Sequence, residues 1–263
     1  MRPPPAHEPQ DGTEVRRSSM RPSPGSRRLR QDGGVTGNDL PAVLVTGAAG
    51  ALGHAVVEEF LNGGRAVLAL DRPGERLDAL GAREGVHPVP VELGSRAAVQ
   101  AAFAALPDLD ADALVCLAGG FTPGTLAEVD EDVLDGLFRS NFGSVLWCAQ
   151  AAAPRFAARG GGAIVTVGSK TAVTGPAPVA HATSKAAVVR LTSLLAEELR
   201  GQHVRVNSVL PSVIDTPANR SWMSADLASR AVAPAAIAKV IAFLCGPDAA
   251  PISGAAIPVY GDA

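Results

Sequence analysis

Along residues 41–263, short runs of aliphatic and β-branched residues alternate with longer Ala-rich stretches whose apolar positions recur every three or four residues. The short runs predict strands at 42–46, 66–70, 87–92, 113–118, 163–167, 205–210 and 256–259. The stretches between them predict helices at 51–62, 95–106, 131–158, 180–200 and 234–245. Nearly unbroken apolar strands separated by helices specify a parallel sheet covered on both faces. The expected fold class is α/β, a doubly wound Rossmann-type sheet of about seven strands in one domain, with ligands beyond the carboxyl ends of the strands.

Residues 1–40 do not share this pattern. They carry seven Arg and six Pro with Ser, Gly and Asp between, and almost no apolar periodicity. Such a segment cannot bury enough surface to offset its ordering entropy, so a disordered extension is expected at 1–40 and the folded domain at 41–263. No apolar stretch follows the Arg16-Arg17 pair, which argues against an export signal.

Composition then removes several classes of function. With 23 Lys+Arg against 26 Asp+Glu, the net charge of −3 gives no footprint for nucleic acid or an anionic membrane. Every apolar run is interrupted before it reaches membrane-spanning length. Cys116, Cys148 and Cys245 lie far apart without metal-ligand spacing and read as buried hydrophobes in a reducing compartment. A cytoplasmic protein acting on a small molecule is expected.

The first strand runs into Thr46-Gly47-Ala48-Ala49-Gly50-Ala51-Leu52-Gly53 and then a helix. Gly47 permits a tight turn, Gly50 lets backbone approach a pyrophosphate, and Gly53 allows close helix–strand packing. The helix N-terminus would face the phosphates with unpaired N–H groups. The second strand ends in Asp71, whose carboxylate suits the two adenosine ribose hydroxyls and repels a 2′-phosphate. NAD(H) is therefore preferred, with NADP(H) the alternative because Arg72 could turn toward a phosphate.

Taken together, these segments resemble the short-chain dehydrogenase/reductase family over essentially all of residues 41–263. The Thr-Gly-x-x-x-Gly-x-Gly spacing stands intact at Thr46, Gly47, Gly50 and Gly53. The resemblance implies further cofactor contacts at Ala49, Leu52, Glu92, Leu93, Ala118, Gly119, Ile214 and Thr216. The family's Asn-Asn-Ala-Gly appears as Cys116-Leu117-Ala118-Gly119, and Ser212 follows Pro211 where Gly is usual. Stretches 116–121, 168–172 and 210–220 are most similar to the quinonoid dihydropteridine reductase branch, which prefers NADH. Relatives pair their long helices between subunits, so a homodimer or homotetramer is implied.

In that family a Ser polarises the carbonyl, a Tyr donates the proton, and a Lys one helical turn later binds ribose and lowers the Tyr pKa. Ser169 and Lys185 match the Ser and Lys, and Asn141 matches the helix Asn that supports the proton relay. The Tyr position is His181. The one tyrosine in the chain, Tyr260, is far away in sequence, so no register shift can supply a phenol.

A neighbouring Lys⁺ disfavours an imidazolium, so His181 should be neutral near pH 7, able to donate an N–H bond or act as base. Two readings stand open: His181 replaces Tyr in proton transfer, or it only fills space or binds substrate. Ser169 likewise either orients substrate or satisfies backbone at a strand end. Residues 217–230, with Trp222, are expected to form a flap. The leading function is an NAD(H)-dependent oxidoreductase acting on a small carbonyl, imine or quinonoid substrate. The alternatives are a non-redox cyclase or isomerase and a catalytically silent binding protein on the same fold.

Overall fold

The structure, a computed structural model, describes residues 40–107 and 109–262. The expected extension at 1–40 lies outside these residues apart from Leu40. Seven strands form one sheet: β1 (Ala42–Thr46), β2 (Val67–Asp71), β3 (Val86–Pro90), β4 (Ala111–Cys116), β5 (Gly162–Val167), β6 (Val204–Pro211) and β7 (Ala256–Val259). Their spatial order is β3-β2-β1-β4-β5-β6-β7, and every pairing is parallel. The direction of winding therefore reverses between β1 and β4, which opens a crevice at the carboxyl edge of the sheet.

Side chains alternate across the sheet and build two cores. Val43 and Val45 of β1 face one layer, with Val56 and Phe60 of α1 (Ala51–Asn62), Leu77 and Leu80 of α2 (Glu75–Gly81), and residues of the helix at Pro234–Cys245. Leu44 faces the other layer, against Val99 and Phe103 of α3 (Arg96–Ala104) and residues of the helices at Ser144–Ala158 and Val179–Glu198. Leu44, Leu68, Leu114 and Ile164 are each almost wholly buried. At about 1.5–3 kcal/mol for each large aliphatic side chain withdrawn from water, these two layers hold the sheet rigid beneath the site. The edge strand β3 tolerates Pro88 and Pro90 because its outer N–H positions need no partner.

Three differences from the sequence expectation are informative. The expected helix at 131–158 is interrupted, as α4 (Glu131–Leu137), a π-helical turn (Phe138–Gly143) and α5 (Ser144–Ala158). The extra residue in the π turn re-aims Asn141, which is fully buried. Helix α2 was not anticipated because Pro73-Gly74 reads as a loop, yet Leu77 and Leu80 give it a buried face. Finally, after α6 (Val179–Glu198) the expected flap contains two short helices, α7 (Pro217–Arg220) and α8 (Ala225–Arg230), before α9 (Pro234–Cys245). All three cysteines are buried and free, as expected.

Candidate active site

The glycine-rich turn is built by backbone approach. Gly47 has φ 65°, and a Cβ there would stand 2.7 Å from the Ala118 nitrogen. A Cβ on Gly53 would lie 2.3 Å from the Gly47 carbonyl oxygen, so only glycine lets α1 start this close to the turn. The Thr46 hydroxyl accepts bonds from the Leu117 and Ala118 N–H groups at 3.2 and 3.3 Å, tying the β4 turn to β1.

These turns wall a cavity of about 830 Å³ at the β1/β4 crossover. Gly47, Ala49, Gly50 and Asp71 line one side, Glu92 and Leu93 another, and Ala118 and Gly119 the region under β4. Asp71 Oδ2 accepts from the Ala49 N–H at 2.9 Å and Oδ1 from the Arg72 N–H at 2.8 Å. The carboxylate is thereby fixed to the glycine turn while lone pairs remain for a ligand. Arg72 and Arg76 also border this end, so charge of both signs is present.

Five sequence-assigned cofactor positions fall outside this cavity's walls: Leu52, Gly53, Ile214, Thr216 and Lys185, the last of which lies on α6 beside it. Leu52 packs against the core beneath α1, and Gly53 acts only through the close packing described above. Ile214 pairs with Val232 in an isolated bridge and packs on the same core. The Thr216 hydroxyl accepts from the Asn219 N–H at 3.1 Å and so caps α7. Ile214 and Thr216 here anchor the base of the segment 217–230.

Beside the cavity, α6 presents His181 and Lys185 one turn apart, the spacing that stacks two side chains on one helix face. Lys185 Nζ donates to the Val167 carbonyl at 2.9 Å, and burial pushes its pKa down to about 8. A Cβ on Gly119 would stand 3.3 Å from Lys185 Nζ and 2.5 Å from Asn141 Oδ1, so this glycine is the point where both side chains meet the cavity wall. Asn141 accepts from the Gly120 N–H at 2.9 Å and donates to the Gly120 carbonyl at 3.2 Å and to the Ser184 hydroxyl at 2.9 Å. Ser184 in turn donates to the His181 carbonyl at 2.8 Å.

His181 is 9% exposed, and its Nδ1 is buried with no hydrogen-bond partner. Burial, then the Lys185 charge, lowers its pKa from the ordinary 6.5, opposed by a hydrogen bond with the Gly120 backbone. The neutral imidazole is thus favoured near pH 7, as the Lys⁺ neighbour led one to expect. The ring meets Phe121 edge-on, with centroids 4.9 Å apart and planes inclined at 72°.

Ser169 sits at the carboxyl end of β5, where its hydroxyl shares a 2.8 Å bond with the Thr171 hydroxyl and accepts from the Thr171 N–H at 3.2 Å. It caps the short turn Lys170–Ala172. Tyr260 is the surprise in placement. Strand β7 lies beside β6, and the Tyr260 ring comes 5.2 Å from the ammonium of Lys170, next to Ser169.

Three contributors escaped sequence reading. Thr46 and Gly120 act by bonds across the crossover, and Ser184 by joining Asn141 to α6. A Ser inside an Ala-rich helix carries no local signal of that role. Among the described residues no cluster of His, Cys, Asp or Glu could hold a metal ion, and no helix is long and apolar enough to cross a membrane.

A glycine turn, a strand-end carboxylate and a crossover cavity on a doubly wound parallel sheet define a dinucleotide-binding α/β protein. The comparisons narrow this class. Residues 41–227 match the family described as short chain dehydrogenase. A 4-formylbenzenesulfonate dehydrogenase from Comamonas testosteroni is 35% identical over 246 residues, covering 83% of this chain and 95% of the relative. A D-xylose 1-dehydrogenase from Caulobacter vibrioides is 30% identical over 227 residues, covering 81% and 91%. A solved 3-ketoacyl-(acyl-carrier-protein) reductase from Brucella melitensis, complexed with NADH, superposes with a TM-score of 0.78 at 27% identity, covering 84% and 97%. The chain belongs to the short-chain dehydrogenase/reductase family, whose members are oxidoreductases that bind NAD(P)(H) and act on small substrates.

Proposed function

We propose that this protein is an NAD(H)-dependent oxidoreductase acting on a small carbonyl, imine or quinonoid substrate, with His181 taking the proton-transfer position usually held by Tyr. The observation that carries the reading is His181 Nδ1: buried, unpartnered, and one helical turn from Lys185. An orphaned buried nitrogen costs about 1–3 kcal/mol, a cost relieved when a substrate hydroxyl or carbonyl supplies the missing partner.

The cavity fits a dinucleotide. Gly47, Ala49 and Gly50 would hold its pyrophosphate, Asp71 its adenosine ribose, and Glu92 and Leu93 its adenine side. Ala118 and Gly119 would lie under the other ribose, within reach of Lys185, with Ile214 and Thr216 supporting the flap. When bound, the nicotinamide supplies or accepts the hydride. Asp71 favours NADH because its negative charge opposes a 2′-phosphate, with Arg72 and Arg76 as the opposing influence.

Ser169 orients the reacting oxygen. The neutral imidazole of His181 takes the alcohol proton in oxidation, and the protonated ring returns it in reduction. Lys185 disfavours the imidazolium, so His181 is a stronger proton donor once protonated than an unperturbed histidine. Asn141 is held by Gly120 and Ser184, so it steadies the backbone beneath His181. An imine or quinonoid ring needs little help from an acid, which suits the absence of a phenol at 181. The likeness of segments 116–121, 168–172 and 210–220 to the dihydropteridine reductase branch supports that substrate class. Leu194 and Phe243, exposed on α6 and α9, would be covered in a homodimer or homotetramer.

The test is a fluorescence titration with NADH and NADPH, followed by NADH oxidation against aldehydes, cyclic imines and quinonoid pterins. Tighter NADH binding with turnover that falls in His181→Ala is expected. Failure to bind either cofactor below millimolar concentration overturns the redox reading. NADH binding with equal turnover in His181→Ala removes His181 from proton transfer.

A further inference from the structure

The Phe121 side chain is 57% exposed, although phenylalanine ordinarily gains by burial. Its sequence position, directly after Gly119-Gly120, places it on the turn beyond the carboxyl end of β4. A single exposed ring elsewhere on a surface would mean little. This one leans edge-on against His181 at 4.9 Å, and the same imidazole carries the buried nitrogen that lacks a partner. The exposed ring thus adjoins the polar group that lacks a partner.

We propose that Phe121 is a specificity-determining residue, an aromatic wall that covers His181 and selects flat aromatic carbonyl or benzylic alcohol substrates over saturated ones of the same size. This rests on the assignment of His181 to the substrate site made above. Edge-to-face contact rewards an aromatic partner beyond simple area burial, because the positive ring edge meets the negative face of another ring. A saturated ring fills similar volume without that electrostatic term. Phe121 turns aside from His181 as the ligand enters, the ligand's ring takes up the edge contact, and its oxygen bonds to the imidazole. The two rings are 60 residues apart in sequence, one on a strand-end turn and one on α6, so the pairing exists only in the folded protein.

The experiment follows the His181 imidazole resonances by NMR in the full chain loaded with NADH, a dead-end pair in which an alcohol has no hydride acceptor. Benzyl alcohol and cyclohexylmethanol are titrated into the unaltered protein, Phe121→Leu and Phe121→Ala. Benzyl alcohol should bind the unaltered protein about threefold to tenfold more tightly than cyclohexylmethanol, the range expected for one aromatic pair. The ratio should fall to near unity in both variants, while the NADH dissociation constant holds. Without alcohol, Phe121→Ala should also raise the His181 pKa, because removing the wall admits water beside an imidazole whose remaining charged influence is Lys185. Equal binding of the two alcohols, or a preference that survives in both variants, overturns the proposal, as does an unmoved His181 titration. Because none of these readouts needs turnover, they are separable from the redox reading. A folded, selective binder that never oxidises NADH would sink that reading alone.

Discussion

The two sides of the crossover solve different problems. On the β1–β4 side, the cavity wall is shaped largely by backbone: glycines at 47, 50 and 119, a β4 turn tied to the Thr46 hydroxyl, and one carboxylate pinned by two amides. On the β5–β7 side, the candidate groups are side chains on α6 and the strand-end turns, with His181, Lys185 and Ser169 each held by different partners. A backbone cradle demands absent side chains, and absence at fixed spacing is visible in a sequence. A side-chain site demands particular neighbours, and those come from segments far apart. The glycine-turn half is therefore the legible one, and under the proposed function the α6 half is where a member of the family changes its chemistry.

Substitutions on the two sides should separate these roles. The largest effect is expected from His181→Ala, which should lower kcat by about 10²–10⁴-fold, the usual worth of a positioned acid or base. Steady-state rates with NADH titrated in parallel check it, since cofactor affinity should hold. His181→Tyr sharpens the point: a gain in reductase activity marks a weakened phenol-type site, and a loss shows that imidazole has its own task.

On the cofactor side, Gly53→Val should destabilise the fold by about 3 kcal/mol, because its Cβ would press on the Gly47 carbonyl. Urea melts and NADH titration should report loss of stability and binding together. Unchanged melting would break the claim that this half is built by close backbone approach. Asp71→Asn is milder, shifting the NADH-to-NADPH affinity ratio by about tenfold, or 1.4 kcal/mol. Paired fluorescence titrations measure the shift.

A further effect concerns stability against pH. Lys185 titrates at about 8 in the fold and near its ordinary 10.5 when unfolded. Between these values the unfolded chain binds more protons, so this residue makes stability rise with pH across that window. Lys185→Met should flatten the rise and lift stability at pH 7, while weakening cofactor binding. Denaturant midpoints at pH 7, 8, 9 and 10 test the sign.

The sequence by itself determined the sheet, both of its apolar faces, the glycine turn and the identity of Asp71, Asn141, Ser169, His181 and Lys185 as the residues to watch. The sheet, the glycine turn and Asp71 depend on period, on spacing and on what a turn can accommodate, all of which are local, whereas Asn141, Ser169, His181 and Lys185 are picked out by resemblance to the family. It placed β1, α1 and β7 to the residue, because each is bounded by glycine, proline or a sharp change in polarity. It missed α2 behind Pro73-Gly74 and ran a single helix through the π turn, because burial of Leu77 and Leu80 and the bonds of Asn141 to Gly120 decide those features. Only the tertiary structure brought Phe121 against His181, joined Ser184 to Asn141, and carried Tyr260 to Lys170. The physical reason is common to all three. Parallel strands are joined by crossovers, so residues adjacent at the carboxyl edge are separated by whole helices along the chain, and their pairing is set by sheet order rather than by spacing.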